Sequence, residues 1–406
     1  MTPLSVVCLL IALIPFGDPA DGFSKNLSFG IVFTLFLPLV YSSNLDWFIT
    51  HNMKIKFTWR RNIGFAGITC VLTFLLNLIM GLNGKYPLEY SFVYFFVVVC
   101  TVLLIWALFS FWESKKRKKE KRNFKSRWVF IFTVFLLLGW GFAALTMKYF
   151  NNANMFVQTF IMSALAVWKC TVAQSIKLYS LMTKQHGEKY ELMLVSFVCI
   201  SIHWFWTLFT NLAFAAVESW LTFTVYLLLD IIAASVFIYQ CSDHYQTRQL
   251  KRSEGSWFPR FVKIESVGEE DEKETLDKSY DVLFNCCCFI LIQFGELTFA
   301  AYTLLLFLCC RYGPNADHSP LGRLEQHDFM NLIYFLIVML LTELFCAVLC
   351  LRVSVRRFFT FDPRPYIGDF VREKWYLFVF TPVMLHFPCL TFMFDHSGMG
   401  FTVGVD

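Results

Sequence analysis

Residues 330–351 read MNLIYFLIVMLLTELFCAVLCL, a run of 22 residues that holds one charge, Glu343. A bilayer's hydrocarbon core is about 30 Å thick, and about 20 mostly apolar residues in a helix cross it. The core helix of a water-soluble protein needs one apolar face, and this run is apolar all round. It reads as a membrane span, and similar runs recur along the whole chain.

The candidate spans are Pro3–Phe16, Leu27–Ser43, Asn62–Leu82, Glu89–Trp112, Trp128–Met147, Asn154–Met182, Leu192–Val217, Trp220–Gln240, Val282–Cys310, Met330–Leu351 and Trp375–Phe394. The expected fold is therefore all-α, a polytopic transmembrane helical bundle of about 10–11 membrane segments forming a single membrane domain. Composition agrees. Of the 406 residues, 57% are hydrophobic and 16% charged, with 48 phenylalanines, whereas a soluble chain is about 25% charged. The first run reads as a short span rather than a signal peptide, because no basic residue precedes it and no clean small-residue cleavage site follows.

The basic residues give the orientation. Lys54, Lys56, Arg60 and Arg61 follow the second candidate. Lys115 to Arg127, within the loop 113–127, join the fourth and fifth. Arg248, Lys251, Arg252, Arg260 and Lys263 follow the eighth, and Arg352, Arg356, Arg357, Arg364, Arg372 and Lys374 follow the tenth. If every intervening candidate crosses, these four loops lie on one side, which the positive-inside rule makes the cytoplasm. The sequon Asn26-Leu27-Ser28 then lies outside, too close to the membrane to be a good glycan acceptor. Pro382 and Pro388 interrupt the last run, so a full crossing and a re-entrant hairpin both stay open for it. The segment 241–280 begins basic and ends acidic, and reads as a charged, flexible cytoplasmic loop.

Ionisable side chains inside a span cost about 2.5–3.5 kcal/mol each and usually face the protein interior or a water-filled cavity. Asp230, Glu296 and Glu343 lie deepest in apolar runs, with Gln293 three residues before Glu296. Gln158, Lys169, Gln174 and Lys177 make the sixth candidate polar. Gln158, Lys169 and Lys177 are 11 and 8 residues apart. At about 100° per residue, Lys169 lies about 20° from Gln158 and Lys177 about 80° further round. These eight residues form either a polar path for an ion or a lipid headgroup, or buried structural pairs such as Lys169 with one of the acids. Glu218, at a tight turn, reads as interfacial. His203, beside Trp204 and Trp206, reads as a hydrogen-bonded core or interfacial histidine.

The 14 cysteines lie mostly in apolar runs, where a reduced thiol behaves as a small hydrophobe. Cys286, Cys287 and Cys288 adjoin the 241–280 segment, and palmitoylation or a plain apolar role both fit them. No zinc-type spacing accompanies any CxxC pair, and the P-loop, GxSxG and HExxH patterns are missing. Cys241-Ser242-Asp243-His244-Tyr245 lacks the second histidine and the cysteine nucleophile of the Asp-His-His-Cys acyltransferases. No catalytic activity, metal, cofactor or nucleic-acid partner is expected. Membrane lipids are the expected partners, while homo-oligomers and membrane-protein partners stay open.

The later half of the chain resembles the XK-related family of membrane proteins. That family carries Pro-Gln followed by Leu-Tyr, where this chain has Ala173-Gln174 and Leu178-Tyr179. Phe294-Gly295-Glu296 is similar in part to its Phe-Asn-Val-x-Glu-Gly. Leu341-Thr342-Glu343 matches three of the four residues in its Leu-Thr-Glu-Asn. The resemblance implies energy-independent phospholipid scrambling, with plasma membrane favoured over endomembrane and with no cofactor. The rival readings from the residues are an ion channel or small-solute transporter, and a chemosensory-type receptor.

The orientation has a direct test. Nine basic residues between Lys115 and Arg127 resist translocation. A cysteine placed by Ser126→Cys should therefore escape an impermeant thiol reagent on intact cells and react after permeabilisation. Strong labelling from outside reverses the assignment of every loop.

Overall fold

The structure is a computed structural model, and it describes residues 3–15, 59–82, 153–182, 203–213, 219–240 and 270–349, with a few further positions outside these ranges. The regular elements among these residues are helical. They are α1 (Pro3–Ala12), α2 (Trp59–Leu82), α3 (Met155–Met182), α4 (residues 203–213), α5 (Trp220–Gln240), α6 (Glu270–Tyr312), α7 (Pro320–Arg323) and α8 (Gln326–Leu349), with a 3₁₀ turn at Ala316–His318. Two segments, Phe289–Tyr312 in α6 and Gln326–Leu349 in α8, are long and apolar enough to cross a membrane. Each has 24 residues, about 36 Å of helix. Shorter apolar stretches occupy α2, α3 and α5.

Short polar caps define several of the helix ends. Asn154 precedes α3 and its side-chain oxygen accepts from the Val157 N–H at 3.1 Å. Ser219 precedes α5 and accepts from Leu221 N–H at 3.2 Å. Ser319 precedes α7, with Pro320 in the first helical position, where the missing N–H costs nothing. Each cap satisfies one of the orphan amides at a helix start.

The chain divides into two compact units. One holds Met1–Ala153, Leu304–Asn331 and Tyr376–Asp406; the other holds Asn154–Thr303 and Leu332–Trp375. In the first unit, Arg311 gathers the chain around α7. Its guanidinium donates to the carbonyls of Leu321, Gly322 and Leu324 at 3.0, 2.6 and 2.7 Å and lies 5.4 Å from the Phe329 ring centre. Asn315 fastens α1 to the same region, donating to the carbonyls of Ala12 and Ile14 at 2.8 and 2.7 Å.

In the second unit α3 packs on α5, with the hydroxyls of Thr159 and Thr222 2.8 Å apart. Phe335 of α8 stacks on Phe223 at 4.7 Å and meets Trp220 edge-on at 4.4 Å. The Tyr226 hydroxyl reaches Thr210 at 3.0 Å, which links α5 to α4. Every residue of α4 is buried. By contrast, large apolar side chains stand exposed on the other helices, among them Phe156, Phe160, Ile232, Leu341 and Phe345.

Two expectations are corrected. The first run forms a helix of 10 residues, about 15 Å long, which is half the thickness of a bilayer core. It is too short to cross, and it stops where Asn315 caps its carbonyls. Residues 270–280, read as the end of a flexible loop, are the opening turns of α6. Glutamate and lysine are good helix formers as well as solvated residues, and acids favour a helix N-terminus. The candidates Leu27–Ser43, Glu89–Trp112, Trp128–Met147 and Trp375–Phe394, the loop 113–127 and residues 241–269 lie outside the described residues, single positions aside. Asn26 of the sequon is buried, and its side-chain oxygen accepts from the Gly17 N–H at 2.6 Å.

The Arg311 clamp carries a prediction. Arg311→Leu removes a donor shared by three carbonyls. It should cost about 2–3 kcal/mol, within the range for hydrogen bonds to charged groups, and lower the melting temperature of the detergent-solubilised protein. Arg323→Leu is the control. Its guanidinium makes one long contact, 3.4 Å to the Asp317 carbonyl, and its melting should stay near wild type.

Candidate buried carboxylate site

Asp230 sits in α5, Glu296 in α6 and Glu343 in α8, and one carboxylate oxygen from each lies within 4.8 Å of the others. Glu296 and Glu343 are buried, and Asp230 is partly so. Three helices therefore each bring one acid to a common place in the second unit.

Glu296 is held from two sides. The His203 Nε2 of α4 is 2.7 Å from Glu296 Oε1. Gln293, one turn earlier on α6, donates its Nε2–H to Glu296 Oε2 at 2.8 Å. The i, i+3 spacing explains the second contact, since such side chains lie on the same helix face. With Glu296 ionised, His203 donates and the carboxylate accepts from both partners.

The next residue on α4 sets the register. Trp204 lies across α6 at Gly295, and its indole N–H donates to the Leu291 carbonyl at 3.1 Å. Its ring meets Phe299 edge-on at 5.7 Å. A Cβ added at Gly295 would stand 1.7 Å from Trp204 Nε1. Glycine at 295 thus lets the indole reach the helix backbone, and that contact places His203 against Glu296.

Several buried polar atoms in this unit have no hydrogen-bond partner among the described residues: His203 Nδ1, Gln293 Oε1, Thr207 Oγ1, Thr303 Oγ1 and both amide atoms of Asn211. His203, Thr207 and Asn211 are four residues apart in turn, so they form one stripe along α4. Buried polar groups are normally paired, and such a stripe is a feature of interiors that accept water or polar ligands.

The other candidate residues divide by what is described. Gln158 of α3 is buried. Lys169, Gln174 and Lys177 lie on α3, and their side chains fall outside the described set. Cys286, Cys287 and Cys288 lie within α6, just before its apolar segment, and their side chains are likewise outside it. The sequence marked the three acids and Gln293 by cost and position. It gave no pairing of His203 with Glu296, because 93 residues separate them and no local pattern spans that distance. Gly295 was part of a family resemblance, but its role under Trp204 is visible only in three dimensions.

No family model, no curated protein and no solved structure matches the chain.

Gly295 can be tested against other helical glycines. Gly295→Ala should destabilise the fold by about 1–3 kcal/mol, the usual cost of overpacking, because Trp204 must leave its seat. Gly64 and Gly67 of α2 have open space where a Cβ would go. Their alanine variants should melt at or slightly above wild type, by up to about 1 kcal/mol of helix propensity.

Proposed function

We propose that the chain is a multi-pass membrane protein that carries phospholipid headgroups across the bilayer without an energy source, as its resemblance to the XK-related family implies. The observation that carries this reading is the buried cluster of Asp230, Glu296 and Glu343 with His203 and Gln293. It sits among helices whose outer faces are apolar. Acids at such depth are expensive, and functional paths are their usual setting.

Three features support the proposal. The two segments of membrane-crossing length contribute Glu296 and Glu343, so these acids would lie at bilayer depth. The stripe of His203, Thr207 and Asn211 extends polar character from the cluster along α4. The polar positions of α3, Gln158, Lys169, Gln174 and Lys177, would continue the path on a second helix. In this arrangement a headgroup exchanges its hydration for the cluster and the stripe, while the acyl chains remain in lipid. The loop charges favour the cytoplasmic side for the basic loop at 113–127, where it would meet anionic lipid, each basic residue adding about 1 kcal/mol of attraction; the plasma membrane is what the resemblance implies.

Reconstituted proteoliposomes provide the test, with fluorescent-lipid flip-flop and ion flux measured in parallel. Wild-type protein should speed flip-flop without ATP. Glu296→Gln and Glu343→Gln keep the shape of the side chain and remove its charge. Both variants should insert and melt near wild type yet lose most of the flux. If they lose abundance or melt early instead, the acids are structural. Ion flux without lipid movement makes the protein a channel or transporter.

A further inference from the structure

We infer that the carboxylates of Asp230, Glu296 and Glu343 form, with the side-chain oxygen of Gln293, a binding site for a hard divalent cation of the calcium class. This goes beyond the lipid-transport reading and does not rest on it, since the ion would join α5, α6 and α8 whatever else the protein does.

The first support is geometric. Calcium ligands lie about 2.3–2.6 Å from the ion, so two ligands of one ion are at most about 4.6–5.2 Å apart. One oxygen from each acid lies within 4.8 Å of the others, as a common ion requires. The acids come from three separate helices, so a site of this kind leaves no spacing motif in the sequence.

The second support is Gln293, which is independent of the acids. Its side chain is 4% exposed. Its Nε2 is directed at Glu296 Oε2, 2.8 Å away, and its Oε1 has no hydrogen-bond partner among the described residues. Both amide atoms are bonded to one carbon, so Oε1 lies within a few ångströms of the Nε2 that binds Glu296. A buried amide oxygen left in this way needs a donor or a cation, and amide oxygens are ordinary calcium ligands.

The donor chemistry selects the class of ion. Each carboxylate can bind through one or both oxygens, and the amide adds another. Such an all-oxygen set suits an ion that takes 6–8 ligands in flexible geometry. Magnesium demands a near-ideal octahedron and keeps several waters. Sulfur-seeking metals find no thiolate among these donors. His203 acts as a positioning residue: together with the Gln293 amide it fixes the plane of Glu296 by binding one oxygen each.

The experiment uses the full-length protein in detergent, stripped with a chelator. Equilibrium binding of radioactive calcium is measured alongside thermal melting in calcium, magnesium or EDTA. Wild type should bind one calcium per chain saturably and melt higher in calcium than in magnesium or EDTA. Asp230→Asn and Glu343→Gln should each weaken binding at least about tenfold. Asp328→Asn, at an exposed acid in the first turn of α8, should bind as wild type does. Because a charge variant can fail to fold, Gln293→Met is included. It keeps all three carboxylates and should lower calcium affinity; having lost the amide donor to Glu296, it should still fold but melt somewhat below wild type in EDTA. A folded wild-type protein that binds no calcium at millimolar concentration overturns the inference. So does calcium affinity that is unmoved in folded Asp230→Asn, Glu343→Gln and Gln293→Met.

Discussion

Three carboxylates brought within a few ångströms of one another, inside a bundle of apolar helices, set the terms for everything packed around them. Each loses hydration on burial, and each repels the other two where little water screens the charge. The fold must therefore supply polar groups from other helices at defined distances. His203 and Gln293 do this for Glu296, one on each oxygen. His203 can arrive only if α4 is fully embedded, and α4 is buried at every residue. Its embedding in turn needs Trp204 against α6, and Trp204 needs glycine at 295. The polar contact, the aromatic wedge and the missing Cβ are successive requirements of one arrangement.

Much of this fold could be read in the sequence. Trp220–Gln240 and Asn62–Leu82 were bounded by length and hydropathy to within a few residues of α5 and α2. What failed was the meaning of charge. Residues 270–280 alternate acids and lysines, which solvate a loop and propagate a helix equally well, and only the continuity of α6 decides. The first run failed by length, since hydropathy does not show that Asn315, 303 residues away, binds the last carbonyl of α1.

The site was legible in part for a different reason. The cost of an acid in an apolar run is a local property, so Asp230, Glu296 and Glu343 stood out singly. Their convergence is a property of helix packing and could not be read from any of the three runs. Gln293 was legible because i, i+3 neighbours share a face. From the sequence His203 reads as a hydrogen-bonded core or interfacial histidine. Its partner was hidden because the nearest acids in sequence are Glu191, 12 positions before it, and Glu218, 15 positions on, while Glu296 lies 93 positions away.

One turn of α6 contains the whole physical problem. Phe294 is 59% exposed, while Gln293 and Glu296 on either side of it are buried. On α8, Leu341 and Phe345 stand outside and Glu343 between them is inside. In water this arrangement is unfavourable twice, once for the apolar exterior and once for the buried acids. In the lipid setting proposed above the first cost disappears, because hydrocarbon solvates phenylalanine and leucine as well as a protein core does. Apolar contact then gives little preference for helix against helix over helix against lipid. Close packing and interhelical hydrogen bonds must specify assembly, each bond contributing about 0.6–2 kcal/mol. The His203–Glu296 contact is such a bond. Removing the polar cluster from this bundle would remove both a candidate site and one of the few contacts that tell α4 and α6 which faces to present.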